Sequence, residues 1–309
     1  MVKLIALDMD GTLLTPDHDI SGRTREAVQK AMDRGVQVVI ATGRAFYEAH
    51  GIISKLDMNV PYICLNGAEV RNESSEIMST SALNSELIDE VSDVFKAEGI
   101  FYQIYTDRAI YTTSIERDIE VFIDLSEQMG QKANETRIRK FMEERLERGT
   151  LVEVDDYKAI FERGDENVLK FLATSSSRAK LVRAKNELNE IGNLAVSSSS
   201  AGNIELTHEN AQKGIALEHI AEIMEIDMKD VMAVGDNLND ISMLKRVGHS
   251  VAMGNAASEV KGIADKTTKM NTEDGVAIAI EEVLAEMDRR EAAAASARSS
   301  ADTENGAGA

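Results

Sequence analysis

Residues 2–12 read Val2-Lys3-Leu4-Ile5-Ala6-Leu7-Asp8-Met9-Asp10-Gly11-Thr12, an apolar run that ends in two acids and a glycine. The run Val2–Leu7 contains β-branched residues and has the length of one buried parallel strand. In open parallel sheets, ligands bind outside the carboxyl ends of the strands, where Asp8 and Asp10 would lie. Gly11 permits a sharp turn that brings both carboxylates near one point, and two close anions then require a cation or a shared proton. The alternative is an ordinary Asp-Gly turn that closes a strand.

The sequence that follows, to about residue 82, alternates helical and strand patterns. Ser21 is a candidate N-cap of a helix that Gly35 ends. The segments after it predict strand Val36–Ala41, helix Ala45–Leu56 and strand Tyr62–Leu65. Strands that alternate with helices in this way predict a parallel sheet with right-handed crossovers.

The last third of the chain, from about residue 207 to residue 288, shows the same alternation. The strand patterns fall at Val231–Val234 and Ser250–Met253, and each is preceded by a helical pattern. The predicted helices are Gln212–Met224, Asn237–Arg246, a short helix near Ala256–Gly262 and a final helix over Asp274–Met287.

The middle of the chain groups its strands differently. Strands Phe101–Tyr105 and Ala109–Thr113 are separated only by Thr106-Asp107-Arg108, which predicts a hairpin. We therefore predict an α/β fold with a Rossmann-like doubly wound parallel sheet over residues 1–82 and 207–290, and an inserted α+β cap domain over 83–206. Residues 291–309, rich in Ala, Ser and Gly, are expected to form a disordered tail, with a frayed extension of the last helix over Ala292–Ala295 as the alternative. One large α/β domain is the alternative.

Three further polar segments fall at strand ends or helix starts. Thr42-Gly43-Arg44 follows the second strand, where a hydroxyl and free backbone N–H groups suit a phosphate oxygen, although Thr42 can equally cap the next helix. Lys213 lies in the first turn of a helix, against the helix dipole, which hints at a function beyond that of an ordinary solvated lysine. The segment Gly235–Asp240 follows the strand Val231–Val234, where Asp236 is a candidate Mg²⁺ ligand or a helix N-cap.

Composition limits the classes of partner. The chain has 54 Asp and Glu against 34 Lys and Arg, a formal net charge of -20, which opposes binding to nucleic acid or to an anionic membrane. One cysteine, Cys64, allows no intrachain disulfide and no cysteine metal cluster. Asp8 interrupts the first apolar run too early for a signal peptide or a membrane span, so the expected location is the cytoplasm.

The conjunction of these segments is what favours one chemistry. Together they supply a nucleophile, a second acid, a hydroxyl, a cation and metal-binding carboxylates at one predicted edge of the sheet, the set that phosphoryl transfer requires. The chain resembles a haloacid dehalogenase superfamily phosphatase of the Cof-like group with a large α/β cap. The residues that carry the resemblance are Asp8-Met9-Asp10-Gly11-Thr12-Leu13-Leu14, Thr42-Gly43-Arg44, Asn66-Gly67-Ala68, Lys213-Gly214 and Gly235-Asp236-Asn237-Leu238-Asn239-Asp240.

The resemblance implies a role for each of these positions. Asp8 would attack phosphorus, and Asp10 would protonate the leaving alcohol and then activate water. Thr42 and Lys213 would hold the phosphoryl oxygens, and Mg²⁺ would be bound by Asp8, the Asp10 carbonyl and Asp236. Asp240 would support the metal site from behind it, Asn239 would contact the phosphoryl group or a metal-bound water, and Gly43, Arg44 and Asn66 would lie near the substrate.

The implied function is Mg²⁺-dependent hydrolysis of small phosphate esters through an aspartyl-phosphate on Asp8. Sugar phosphates come first as a substrate class, then phosphorylated cofactors such as flavin mononucleotide or pyridoxal phosphate. The alternatives are a phosphohexomutase of the same superfamily and a non-catalytic phosphate-sensing protein. We expect a monomer or a homodimer, with no nucleic-acid or membrane partner.

Overall fold

The structure is a computed structural model that describes residues 1–56, 58–128, 134–198 and 202–306. The chain forms two compact units, one of Met1–Ile40 with Leu217–Ala309 and the other of Ala41–Ala216. We call them the first and the second unit. The cap boundaries at residues 83 and 206 stay a prediction. Within the described residues, no helix is both long and apolar enough to cross a membrane.

The described residues contain fourteen strands, each of two to seven residues. In chain order they are β1 (Leu4–Leu7), β2 (Gln37–Ala41), β3 (Tyr62–Cys64), β4 (Glu69–Arg71), β5 (Ile77–Thr80), β6 (Phe101–Thr106), β7 (Ile110–Thr112), β8 (Leu151–Glu153), β9 (Val168–Thr174), β10 (Leu194–Ser197), β11 (Asn203–His208), β12 (Val231–Gly235), β13 (His249–Ala252) and β14 (Lys266–Thr267).

Eleven α-helices complete the described secondary structure, joined in places by short 3₁₀ turns. They are α1 (Gly22–Asp33), α2 (Phe46–Ile53), α3 (Ser85–Glu98), α4 (Ile115–Gln128), α5 (Glu135–Glu147), α6 (Lys158–Arg163), α7 (Arg178–Leu188), α8 (Lys213–Ile223), α9 (Ile241–Leu244), α10 (Ser258–Ile263) and α11 (Gly275–Gly306).

The first unit is built on a parallel sheet with the strand order β14-β13-β12-β1-β2. Its centre is apolar, since every residue of β1 and β12 is buried, as expected for a parallel sheet that is covered on both faces. β1 pairs with β12 in the register Leu7 to Val234 and with β2 in the register Leu7 to Ile40. The predicted parallel α/β sheet is therefore confirmed, and the ends of β1 and β12 lie side by side.

The second unit contains mainly antiparallel strands. β3, β4 and β5 form a short antiparallel ladder, and a six-stranded sheet has the order β10-β11-β9-β6-β7-β8. The predicted hairpin is present as β6 and β7, which pair antiparallel with Ile104 opposite Tyr111. An apolar cluster that includes Phe95, Tyr102 and Phe171 packs against this sheet. Closely paired strands of this kind are the α+β arrangement that the spacing predicts.

Local signals place most helix ends correctly. Ser21 caps α1 by accepting a hydrogen bond from the Thr24 N–H at 3.1 Å. The helix predicted over Asn237–Arg246 is wrong in its first turn, because Leu238–Asp240 forms a 3₁₀ turn and only Ile241–Leu244 is α-helical. The Asp240 carboxylate accepts the N–H groups of Asp236 and Asn237 at 2.9 and 3.0 Å, which tightens this turn.

The C-terminal segment is helical where the structure describes it, and the disordered tail over residues 291–309 stays a prediction. Residues 291–306, expected to be a disordered tail, continue α11 as far as Gly306, whereas residues 307–309 lie outside the described residues. Alanine has the highest helix propensity, and this segment is rich in alanine, so the same composition also supports a helix.

Candidate active site

The loop after β1 presents two acids in different surroundings. The Asp8 residue is buried, with 5% of its surface exposed, whereas 48% of the Asp10 side chain is exposed. The loop is tight, because Thr12 N–H donates to the Met9 carbonyl and Leu13 N–H donates to the Asp8 carbonyl. Asp8 is therefore held in place by the sheet, and Asp10 faces outward, next to solvent.

Asp236 directly follows β12 and lies close to Asp8. Because Leu7 pairs with Val234, the two strands end together, and the Asp8 N–H donates to the Val234 carbonyl at 3.1 Å. Asp8, Asp236 and Asp240 each offer a carboxylate oxygen within 4.8 Å of the others. The structure thus brings together two predicted metal ligands and the predicted supporting acid.

Two donors hold the Asp236 carboxylate. The Thr12 hydroxyl donates to Oδ1 at 3.1 Å, and the Asn255 amide donates to the Gly11 carbonyl at 2.8 Å and reaches Oδ2 at 3.4 Å. Gly11 has a φ of +81°, and a methyl group there would lie 2.8 Å from Cγ of Asp236. Glycine is therefore favoured at position 11 by the backbone conformation, and any larger residue would displace the Asp236 side chain.

The third acid, Asp240, contacts the backbone of the turn that carries Asp236. It is fully buried, and its Oδ2 accepts the backbone N–H groups of Asp236 and Asn237. A side chain at Gly235 would collide with it, since a methyl group would lie 2.6 Å from Cγ of Asp240. The contacts of Asp240 therefore fix the direction of the chain at Asp236.

The donor set fits a divalent cation. Three carboxylates this close repel one another unless a positive charge or a proton lies between them. Carboxylate and carbonyl oxygens are the ligands of hard cations such as Mg²⁺. Oδ2 of Asp240 accepts two backbone N–H groups of its own turn, as expected of the supporting acid, and the assignment of Asp8 and Asp236 as ligands of the ion stays a prediction.

In the second unit, the predicted Thr42 loop contacts the Asn66 turn. Thr42 is buried, and its hydroxyl accepts the Arg44 N–H at 3.1 Å. The Asn66 N–H donates to the Thr42 carbonyl at 3.0 Å, and the Leu65 N–H donates to the Arg44 carbonyl at 3.0 Å. These bonds join the two loops, which carry Thr42, Gly43, Arg44 and Asn66.

The Asn66 turn has an unusual backbone. Leu65, Asn66 and Gly67 have φ values of +50°, +61° and +107°, and a methyl group at Gly67 would lie 2.6 Å from the Gln212 carbonyl oxygen. Gln212 directly precedes Lys213, the first residue of α8, so this segment lies beside the turn. Lys213 is fully buried, as a binding residue can be and a solvated lysine is not.

Cys64 also adjoins this turn, as the last residue of β3. The side chain is completely buried, and burial raises the pKa of its thiol well above the ordinary value. A protonated thiol is a poor nucleophile. The structure thus favours a packing role for Cys64.

Two functional contacts were not foreseen from the sequence, namely those of Thr12 and Asn255 to Asp236. Thr12 belongs to the first motif, but no role was assigned to it. Asn255 follows the end of β13 after only two residues, so the rule that ligands collect at strand ends would have pointed to it. Asn239 lies in the 3₁₀ turn Leu238–Asp240, and its contact with substrate stays a prediction.

Known proteins resemble the chain over most of its length. The family of haloacid dehalogenase-like hydrolases matches residues 5–280. The 5-amino-6-(5-phospho-D-ribitylamino)uracil phosphatase YwtE of Bacillus subtilis (strain 168) is 31% identical over 284 residues, which cover 92% of this chain and 98% of that protein. The phosphatase YwpJ of the same strain is 31% identical over 286 residues, or 92% and 100% of the two chains. A solved haloacid dehalogenase-like hydrolase from B. subtilis is 30% identical, covers 91% of this chain and 99% of its own, and has a TM-score of 0.81.

Proposed function

Because the chain belongs to the haloacid dehalogenase-like hydrolases and is a phosphatase, we propose that it hydrolyses small phosphate monoesters with Mg²⁺ and with Asp8 as nucleophile. The observation that supports this proposal most directly is the cluster of Asp8, Asp236 and Asp240 at the ends of β1 and β12. Its carboxylates need a cation, and a bound cation would also permit an anionic substrate to approach.

In the first step, an oxygen of the Asp8 carboxylate forms a bond to phosphorus and the bond from phosphorus to the leaving oxygen breaks. Asp10 gives its proton to that oxygen, so that the product leaves as an alcohol. The half-exposed position of the Asp10 side chain suits a group that must meet both the leaving alcohol and water. We assign to Thr42 and Lys213 the binding of the phosphoryl oxygens.

In the second step, Asp10 accepts a proton from water and the oxygen of that water bonds to phosphorus. The bond between Asp8 and phosphorus breaks, which releases inorganic phosphate and restores the Asp8 carboxylate. Asp8, the Asp10 carbonyl and Asp236 would hold the Mg²⁺, which when bound would neutralise charge on the phosphoryl group. Thr12, Asn255 and Asp240 keep Asp236 in place throughout.

For the substrate we propose a phosphorylated sugar, polyol or cofactor. The relative YwtE is named as a phosphatase of a phosphoribitylamino compound, which carries its phosphate on a chain of hydroxyl-bearing carbons. An anionic surface with a net charge of -20 disfavours polyanionic macromolecules as substrates. We also propose a cytoplasmic location and a monomeric or homodimeric state.

The test is turnover of p-nitrophenyl phosphate, with and without Mg²⁺, by the wild type and by Asp8→Asn. We expect the variant to be folded by circular dichroism and to lose activity by at least about 10⁴-fold, the scale of losing a catalytic nucleophile. Asp17→Asn, an exposed acid farther along the same loop, is the matched control and should behave as wild type. Substantial turnover by Asp8→Asn would refute the assignment of the nucleophile.

A second arm uses Asp10→Asn and mass spectrometry. Without the base that activates water, a phosphorylated Asp8 should accumulate and add one phosphoryl group to the intact mass. No adduct, with both steps as fast as in the wild type, would show that Asp10 is not the acid and base. A panel of phosphorylated metabolites then identifies the substrate class.

A further inference from the structure

Two buried charged residues of the second unit lie within strands and have apolar residues on both sides in the sequence. Lys170 is in β9 and Glu205 is in β11, and only 4% and 5% of their surfaces are exposed. Lys170 is opposite Thr207 in the antiparallel register, so Glu205 is its diagonal neighbour on the same face of the sheet. The Lys170 Nζ and the Glu205 Oε2 are 2.7 Å apart. We call these two residues the buried pair.

The buried pair contacts both loops that carry predicted substrate residues. The Lys170 ammonium donates to the Gly43 carbonyl at 3.3 Å, and the Asn66 amide donates to Glu205 Oε2 at 3.2 Å. Tyr105 is opposite Lys170 in the register of β6 and β9, and Lys170 Nζ lies 5.4 Å from the centre of its ring. One end of the pair therefore holds the Thr42-Gly43-Arg44 loop, and the other end holds Asn66.

Stability alone does not explain a buried pair of charges. Replacing such a pair by apolar residues of similar volume is often neutral or stabilising, because desolvation offsets much of the attraction between the charges. Asn66, by contrast, has a left-handed backbone, and such conformations persist when their surroundings fix them. Glu205 supplies one of the contacts that fix it.

We propose that Lys170 and Glu205 are positioning residues that orient the Asn66 carboxamide and the Gly43 carbonyl, and thereby set the affinity for the substrate. This inference rests on the proposed function, because it takes Gly43 and Asn66 as residues next to the substrate. It assigns the buried pair no contact with the reacting atoms.

The experiment compares the wild type with the double variant Lys170→Met and Glu205→Leu, which removes both charges and leaves neither unpaired. The folded double variant should show at least a tenfold lower kcat/KM for p-nitrophenyl phosphate, mostly through a higher KM. A displacement of about 1 Å can cost a hundredfold in rate, so an effect of this size is within reach of lost positioning. The Asn66 side-chain amide signal in ¹⁵N NMR, assigned by its loss in Asn66→Asp, should move.

A conservative variant separates positioning from packing. Lys170→Met with Glu205→Gln is also uncharged, but the side-chain oxygen of the introduced glutamine can still accept a hydrogen bond from Asn66. We expect this variant to recover most of the lost affinity and the position of the Asn66 amide signal. The matched control is Glu98→Leu with Arg183→Met, which removes an ion pair of 2.6 Å between α3 and α7 and should leave KM unchanged.

A double variant that folds and has wild-type KM, or an unmoved Asn66 amide signal, would overturn the inference. If the double variant fails to fold, Glu205→Asp replaces it in the experiment. This substitution keeps the charge but shortens the side chain by one methylene, which moves the carboxylate away from Asn66. An unchanged KM in a folded Glu205→Asp variant would also overturn the inference. If instead Asp8→Asn stays active, the proposed function fails, while the NMR signal still reports whether the pair orients Asn66.

Discussion

Asp118, in α4, allows a prediction about pH and stability that is independent of catalysis. Only 4% of its surface is exposed, and burial raises the pKa of its carboxyl from 3.8 to about 6, opposed by neighbouring Thr112 and Gln103 side chains and by the charge of Arg145. An acid with a higher pKa in the folded state opposes folding when it is ionised. Its penalty is absent below pH 4, grows as the pH rises to about 6, and is then constant.

The size of the effect follows from the shift of about two pH units. At about 1.4 kcal/mol for each unit, the ionised carboxylate costs roughly 3 kcal/mol at pH 7, and the same linkage gives roughly 1.5 kcal/mol at pH 5. Asp118→Asn cannot ionise and keeps an oxygen for the neighbouring donors. We expect the variant to be more stable than the wild type by up to these amounts, with the larger gain at pH 7.

Urea unfolding at pH 5, 6, 7 and 8, followed by circular dichroism, measures this difference. Asp124→Asn is the control, because Asp124 is an exposed acid of the same helix and should show no such trend. If the stability gained by Asp118→Asn is the same at every pH, or if it is largest at pH 5, the reasoning about the buried carboxyl is wrong.

Two further predictions concern the first unit. Gly11→Ala should fold but lose both turnover and the rise in Tm on adding Mg²⁺, because its methyl group would displace the Asp236 carboxylate; a Tm that still rises with Mg²⁺ as in the wild type would contradict this. Ser21→Ala should cost about 1 kcal/mol of unfolding free energy, since it removes the cap that accepts the Thr24 N–H, and Ser21→Thr should recover most of it in the same urea titration.

The strand ends were the most predictable part of the molecule. Asp8 and Asp236 could be assigned to one edge of a sheet because parallel strands end together, and the register of Leu7 with Val234 brings them side by side. The prediction needed only local signals: a short apolar run, then acids and a glycine. The acidic cluster of Asp8 and Asp236 could thus be anticipated from two stretches of sequence that lie far apart along the chain.

The contacts of the buried pair could not be anticipated in this way. The sequence shows a lysine inside the apolar run Val168–Ala173 and a glutamate between Ile204 and Leu206, which marks both as unusual. It does not show that β9 and β11 are neighbours, or in which register. A pairing of side chains across strands depends on the sheet order, which no local pattern encodes.

Local sequence signals also did not predict where two of the helices begin or end. The sequence around Asn237 favours a helix, and Asp240 makes the capping contact with the Asn237 N–H, yet the first turn is a 3₁₀ turn and the α-helix begins only at Ile241. At the other end, the residues after 290 lack large apolar side chains but include many alanines, whose helix propensity is the highest.

The pairing of β1 with β12 has a consequence for how activity is acquired during synthesis. Asp8, the proposed nucleophile, is synthesised long before Asp236, the acid proposed to share its cation, and the pairing of their strands brings the two together. If Asp8 and Asp236 share a cation as proposed, a ribosome-bound fragment that ends before β12 would contain the complete Asp8 loop and have no phosphatase activity. Pairing between strands so distant in the sequence slows folding. The onset of phosphate release during synthesis would therefore report that β12 has paired with β1.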